Sequence, residues 1–195
     1  MKVIALIGGI GSGKSIVSAI LLIMGYDVYD CDSRAKKLMD SSTDIKRKLV
    51  DAFGNDSVDE KGVISRKYIS SIVFNNPKAL STLNGIVHPV VREDLSEWIN
   101  ARKEAGHHCV FVETAILKES NIKDIVDEEW NVYAPVDLRV RRVMKRNNLS
   151  ESDVLARIKS QSSTDEVNEF SIINDDANAI LPQIERNLKF ILLDR

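Results

Sequence analysis

Gly8, Gly9, Gly11, Gly13, Lys14 and Ser15 stand in the order G-x-x-x-x-G-K-S near the start of the chain. Glycines at this density let a loop wrap until its backbone N–H groups converge on one anion, at the positive end of the helix that follows. A lysine and a hydroxyl at the next two positions extend that chemistry. Lys14 can reach the β- and γ-phosphates of a nucleotide, and the Ser15 hydroxyl can coordinate Mg²⁺. Gly9, Ile10, Gly11, Ser12, Gly13, Lys14, Ser15 and Ile16 are the candidate contacts to a nucleotide's phosphates. A dinucleotide fingerprint fails, because G-x-G begun at Gly9 needs a small residue where Lys14 stands. Asp59-Glu60-Lys61-Gly62 and Asn121-Ile122-Lys123-Asp124 imitate guanine-nucleotide motifs, but the first follows no buried strand and the second only approximates the pattern.

Acids and arginines supply the rest. Asp30 and Asp32 follow the short run Tyr26 to Asp30, and Glu113 ends the apolar run Cys109 to Glu113. Ligands of open α/β sheets sit beyond the carboxyl ends of the strands, so these carboxylates face the phosphate loop. Phosphoryl transfer to an alcohol needs charge neutralisation and an acceptor for the hydroxyl proton. Asp32, further out than Asp30, suits that task, or else it caps a helix starting at Ser33 or Arg34. Glu113 either holds magnesium through water or orients the loop after it. Arg139, Arg142 and Arg146 share one helical face. They read either as a mobile cationic cover for a transferring phosphate or as a solvated basic face.

Hydrophobic spacing gives the elements that must hold these groups. Val3 to Ile7 reads as a strand buried on both faces, Lys14 to Met24 as a helix and Tyr26 to Asp30 as a second strand, together a βαβ unit. From Ser33 to Ala105 the pattern turns helical, with Ile45, Leu49 and Phe53, then Tyr68, Ile69 and Ile72, then Val91, Leu95, Trp98 and Ile99. Pro89 suits the first turn of that last helix. Strands are expected again at Cys109 to Glu113, Trp130 to Ala134 and Ser171 to Asn174. Helices are expected at Val136 to Arg146, Glu151 to Gln161 and Asp176 to Leu193.

Composition narrows the class. The chain has 195 residues, 44% apolar, with 27 basic and 29 acidic side chains, so no global charge draws it to nucleic acid or a membrane surface. The longest strongly apolar stretch, Ala19 to Met24, falls far short of the roughly 20 residues that span a bilayer. The apolar start stops at Gly8 and reads as a strand and not as a targeting segment. Cys31 and Cys109 have no metal-ligand spacing, which points to a reduced, cytoplasmic setting.

Taken in order, these residues resemble the dephospho-coenzyme A kinase family over nearly the whole chain. The resemblance rests on Ile7 to Ser15, on D-x-D at Asp30-Cys31-Asp32, on L-N-x-x-x-H-P at Leu83 to Pro89, and on Arg142 and Arg146 followed by R-I-x-x-Q at Arg157 to Gln161. It implies an α/β, three-layer P-loop kinase with a parallel five-stranded sheet, an inserted helical acceptor domain and a helical lid. The implied division is a core of 1–32, 107–136 and 164–195, an acceptor domain of 33–106 and a lid of 137–163. The implied reaction is ATP-dependent phosphorylation of the ribose 3′-hydroxyl of dephospho-coenzyme A. Asp32 would act as base or orienter, with Lys14 and Arg142 on the transferring group. Arg146 would be on the nucleotide, and Lys36, His88, Glu113 and Arg139 near the acceptor. His88 reads equally as a structural residue of its helix. Magnesium would sit on Ser15, with Asp32 or Glu113 through water. The implied partner is a small molecule, with no nucleic acid and no membrane, on a monomer or weak homo-oligomer.

Three departures mark this chain. Glu113-Thr114-Ala115-Ile116-Leu117-Lys118-Glu119 lacks the family's proline, Lys36 replaces an arginine, and Asn174-Asp175-Asp176 lacks the final glycine of N-D-G. Other readings of the loop are a kinase for a nucleoside monophosphate or a sugar, a non-catalytic nucleotide-binding module, and a nucleic-acid-dependent ATPase.

Overall fold

A computed structural model describes residues 1–74, 76–115, 122–161 and 167–193. In chain order its elements are β1 (Lys2–Ile7), α1 (Lys14–Ile23), β2 (Val28–Asp30), α2 (Cys31–Ser41), α3 (Thr43–Phe53), α4 (Arg66–Val73), α5 (Pro77–Glu104), β3 (Cys109–Glu113), β4 (Glu128–Tyr133), α6 (Val136–Asn147), α7 (Glu151–Ser160), β5 (Ile172–Ile173) and α8 (Ile180–Leu193). The strands form one sheet in the order β2-β3-β1-β4-β5, with every pairing parallel. Val3, Ile4, Ala5 and Leu6 are buried in succession, as a central parallel strand covered on both faces requires.

Three layers follow from the alternation of side chains along the strands. Val3, Ala5, Val110 and Val112 face Val91, Leu95 and Ile99 of α5. Ile4, Leu6, Phe111 and Trp130 face Val17 and Leu21 of α1 and Ile184 and Leu188 of α8. A second, smaller core joins Ile45 and Leu49 of α3 to Ile69 of α4, with Leu83, Ile86 and Val90 of α5 against it. The helical excursion expected after Ser33 is therefore present, and α5 belongs to its core and to the sheet's core alike. The look-alike Asp59 to Gly62 is the turn of a small hairpin: Asp59 accepts the amides of Lys61 and Val63, and Val58 bridges Ile64. Its companion begins at Asn121, outside the described residues.

Two expectations are corrected. Pro89 does not open a helix; it lies inside α5, which runs 28 residues from Pro77. Proline removes the amide that would bond to Gly85, and both residues are exposed, so the carbonyl left without its donor lies on the solvent side. Packing against two cores keeps the helix continuous there. The last helix starts at Ile180 and not Asp176, because the Asp175 carboxylate accepts the amides of Ala177 and Asn178 and makes a turn.

Candidate active site

The sheet's register sets the site. Leu6 of β1 and Asp30 of β2 are both level with Glu113 of β3, so the phosphate loop, the D-x-D turn and Glu113 leave the sheet side by side. Gly13 takes φ +101°, a conformation that favours glycine, and caps α1; a Cβ there would fall 2.0 Å from Asn174 Nδ2. Lys14 Nζ donates to the Gly8 carbonyl at 2.6 Å and holds the loop closed on itself. Burial pushes its ammonium below the ordinary pKa, while Glu113 and Asp32 pull it back up. Ser15 is exposed at the first turn of α1, and Ser12 is buried.

Gly9, Ile10, Gly11, Gly13, Lys14, Ser15 and Ile16 line a cleft of about 550 Å³, and Asp32, Glu113, Arg142, Arg146 and Gln161 line it with them. Ser12 stands behind the loop, its carbonyl accepting Asn174 Nδ2 at 2.8 Å. Among the described residues no cluster of three or more His, Cys, Asp or Glu side chains could hold a metal alone. The oxygen donors that do share the cleft, Ser15, Asp32 and Glu113, suit an ion such as Mg²⁺ that keeps several waters and takes the rest of its shell from phosphate.

The arginine face divides on docking. Arg139 is 2% exposed and lies against the back of the loop, with Nε donating to the Ile10 carbonyl at 3.0 Å. Its guanidinium fills the space a Cβ on Gly9 would need, at 2.0 Å. This placement gives Arg139 a part in holding the loop, outside the cleft lining. Arg142, half-buried, donates to the Asn174 carbonyl at 3.1 Å and to Asn174 Oδ1 at 3.2 Å. Arg146 is exposed at the cleft edge. Val140, Val143 and Val154 of α6 and α7 pack with Ile10, so both helices are seated on the loop. Gln161 then accepts the Ile10 amide at 2.7 Å. The last two positions of the expected 137–163 lid lie outside the described residues.

The acids separate as well. Asp30 is the cap of α2: its carboxylate accepts the Ser33 amide at 3.0 Å and the Ser33 hydroxyl at 2.5 Å. Asp32 is not a cap. It sits exposed in the helix's first turn and faces the cleft. Glu113 accepts Ser18 Oγ at 2.6 Å. Burial raises its carboxyl above the usual range, helped by Asp30 and Asp32 and opposed by Ser18 and Lys14. His88 is half-buried and shares a pocket of about 50 Å³ with Asp32, Cys31, Ala35 and Thr114, next to the main cleft. Lys36 is exposed one turn beyond Asp32, outside both linings; its carbonyl accepts Arg66 Nη2 at 3.4 Å. Ile116 to Glu119 of the loop after β3 lie outside the described residues.

Ser18 escaped notice in the sequence, although it follows Lys14 by one helical turn and so had to face the same side. Asn174 and Gln161 were legible only as letters of a resemblance. Their bonds to the loop span 162 and 151 residues, and no local pattern announces them.

A parallel β2-β3-β1-β4-β5 sheet, a phosphate loop after its central strand and carboxylates across the cleft define a P-loop kinase. The family model described as dephospho-CoA kinase matches residues 2–179. A dephospho-CoA kinase from Staphylococcus saprophyticus is 35% identical over 193 residues, covering 99% of this chain and 93% of that one. The crystal structure of TT1252 from Thermus thermophilus is 33% identical, with a TM-score of 0.80 over 99% of this chain and 97% of its own. Dephospho-CoA kinase from Campylobacter jejuni, 24% identical with a TM-score of 0.65 over 98% and 96% of the two chains, shares the fold. The chain belongs to the dephospho-CoA kinase family. No described helix is long and apolar enough to cross a membrane.

Proposed function

We propose that this chain transfers the γ-phosphoryl group of ATP to the ribose 3′-hydroxyl of dephospho-coenzyme A, giving coenzyme A and ADP. The observation that carries this reading is the position of Asp32: exposed, released from capping by Asp30, and across one cleft from Lys14 and Arg142. Asp32 orients the hydroxyl and accepts its proton as the new O–P bond forms and the bond to the β-phosphate oxygen breaks. Lys14 and Arg142 stabilise the charge on the transferring group, and Arg146 meets the nucleotide from the cleft edge. Arg139 contributes by fixing the loop. Ser15 would hold Mg²⁺, with Asp32 or Glu113 reaching it through water; the ion, when bound, neutralises charge on the β- and γ-oxygens. His88, in the side pocket next to Asp32, and Lys36, further along α2, would meet the acceptor. The acceptor portion is 33–106, and α6 and α7 form the cover of the nucleotide.

An ADP-release assay with ATP, Mg²⁺ and a panel of acceptors tests the reading. Turnover is expected with dephospho-coenzyme A and not with nucleoside monophosphates or shikimate. Turnover with one of the latter and none with dephospho-coenzyme A overturns it.

A further inference from the structure

The turn between β5 and α8 carries a side chain at a backbone position that favours glycine. Asp176 has φ +66°, in the left-handed region that L-residues avoid and Asp and Asn tolerate best. Its neighbour builds the turn. Asp175 Oδ1 accepts the amides of Ala177 at 3.0 Å and Asn178 at 2.8 Å, and Oδ2 accepts Asn178 Nδ2 at 2.8 Å. The Asp176 carboxylate reaches across to Arg142 instead, with Oδ1 2.5 Å from Nη2.

That same Nη2 also donates to Asn174 Oδ1, and Asn174 in turn holds the Ser12 carbonyl of the phosphate loop. Arg142 is thus drawn between the loop and one carboxylate. Its side chain is 27% exposed, and that of Asp176 is 65% exposed. A triphosphate seated on the loop and the Asp176 carboxylate both need the charge of this guanidinium. Either Arg142 leaves the carboxylate or a polyanion comes to rest beside it, and both outcomes oppose nucleotide binding.

We propose that Asp176 is an internal counter-anion of Arg142, which holds the guanidinium beside Asn174 and yields it to the nucleotide, so that ATP affinity is set below what the loop and Arg142 would give alone. The proposal deepens the phosphoryl-transfer reading and rests on it. Asp176 is a positioning residue: it acts through Arg142.

The test is calorimetric titration of the full chain with ATP, in the parent, Asp176→Asn, Asp176→Gly, Arg142→Ala and the Arg142→Ala/Asp176→Asn double variant. Asn keeps the shape and the tolerance for the left-handed region, and Gly removes the side chain altogether. Exposed ion pairs are weak, so each Asp176 variant should lower the ATP Kd by about two- to fivefold at low ionic strength. The gain should shrink as salt screens the pair, and it should vanish in the Arg142→Ala background. KM for ATP should fall by more than kcat changes. An unchanged or raised Kd in Asp176→Asn overturns the proposal, as does an equal gain without Arg142. A parent chain that binds no ATP would instead overturn the functional reading, and the proposal with it.

Discussion

Asp30 accepts the amide of Ser33 at 3.0 Å, and that bond leaves Asp32, one position before Ser33, without a capping role. Two carboxylates of one D-x-D turn therefore have different work. Asp30→Ala should cost about 1 kcal/mol of stability through the lost cap. Asp32→Ala should melt with the parent, bind ATP normally, and lose turnover by roughly 10²- to 10⁴-fold. Thermal melts beside steady-state kinetics check both. A stability loss at Asp32 with turnover preserved would reverse the assignment.

Lys14 closes the loop through Gly8 and lines the cleft. In the proposed transfer, removing its charge takes away one donor to the developing phosphate charge, an expected loss on the order of 10²- to 10³-fold in turnover. Lys14→Ala should also weaken ADP binding in a titration. Parent-like kinetics would dismiss the loop as the catalytic phosphate site.

Gly11 and Gly25 both have positive φ, at +80° and +89°, yet their surroundings differ. A Cβ on Gly11 would stand 2.8 Å from the Arg139 carbonyl oxygen, whereas one on Gly25 meets nothing within 4 Å. Alanine at Gly25 should cost only the backbone strain, about 1 kcal/mol. At Gly11 it must also displace the backbone of α6, and the loss should exceed that by roughly 1–3 kcal/mol. Chemical denaturation of the two variants compares them; equal losses would mean that α6 does not seat closely on the loop.

Glu113 gives a pH signature. Burial raises its carboxyl, so the folded chain binds this proton more tightly than the unfolded chain does. Stability from this group is then present at low pH and is lost as pH rises from the ordinary glutamate value, about 4.3, through the raised one. Glu113→Gln keeps an acceptor for Ser18 and removes the buried charge. Its melting temperature should exceed the parent's at neutral pH and match it below about pH 4. A variant less stable at neutral pH would show that the charge is favourable where it stands.

Much of this site can be read along the chain, because its strongest signals are local. The glycines, Lys14 and Ser15 are contiguous, and the apolar run before them has one sensible use. What escapes is decided by docking. Arg139 and Arg142 share a helical face in sequence, but one is trapped behind the loop while the other opens to the cleft. Helix α2 begins at Cys31, two residues before the earliest start that spacing suggested, and that small shift moved the cap from Asp32 to Asp30. Pro89 misled for a related reason: proline marks a helix start only when tertiary packing does not carry the helix through it.

Helix α5, which belongs to both cores, works as a girder. Its 28 residues make a rod of about 42 Å, and swinging the smaller core about the sheet would mean bending that rod. The weak point is already drawn, at the rung between Gly85 and Pro89 where the ladder lacks a bond. Any bending of that rod is concentrated there, one residue beyond His88, where the two cores that share α5 meet.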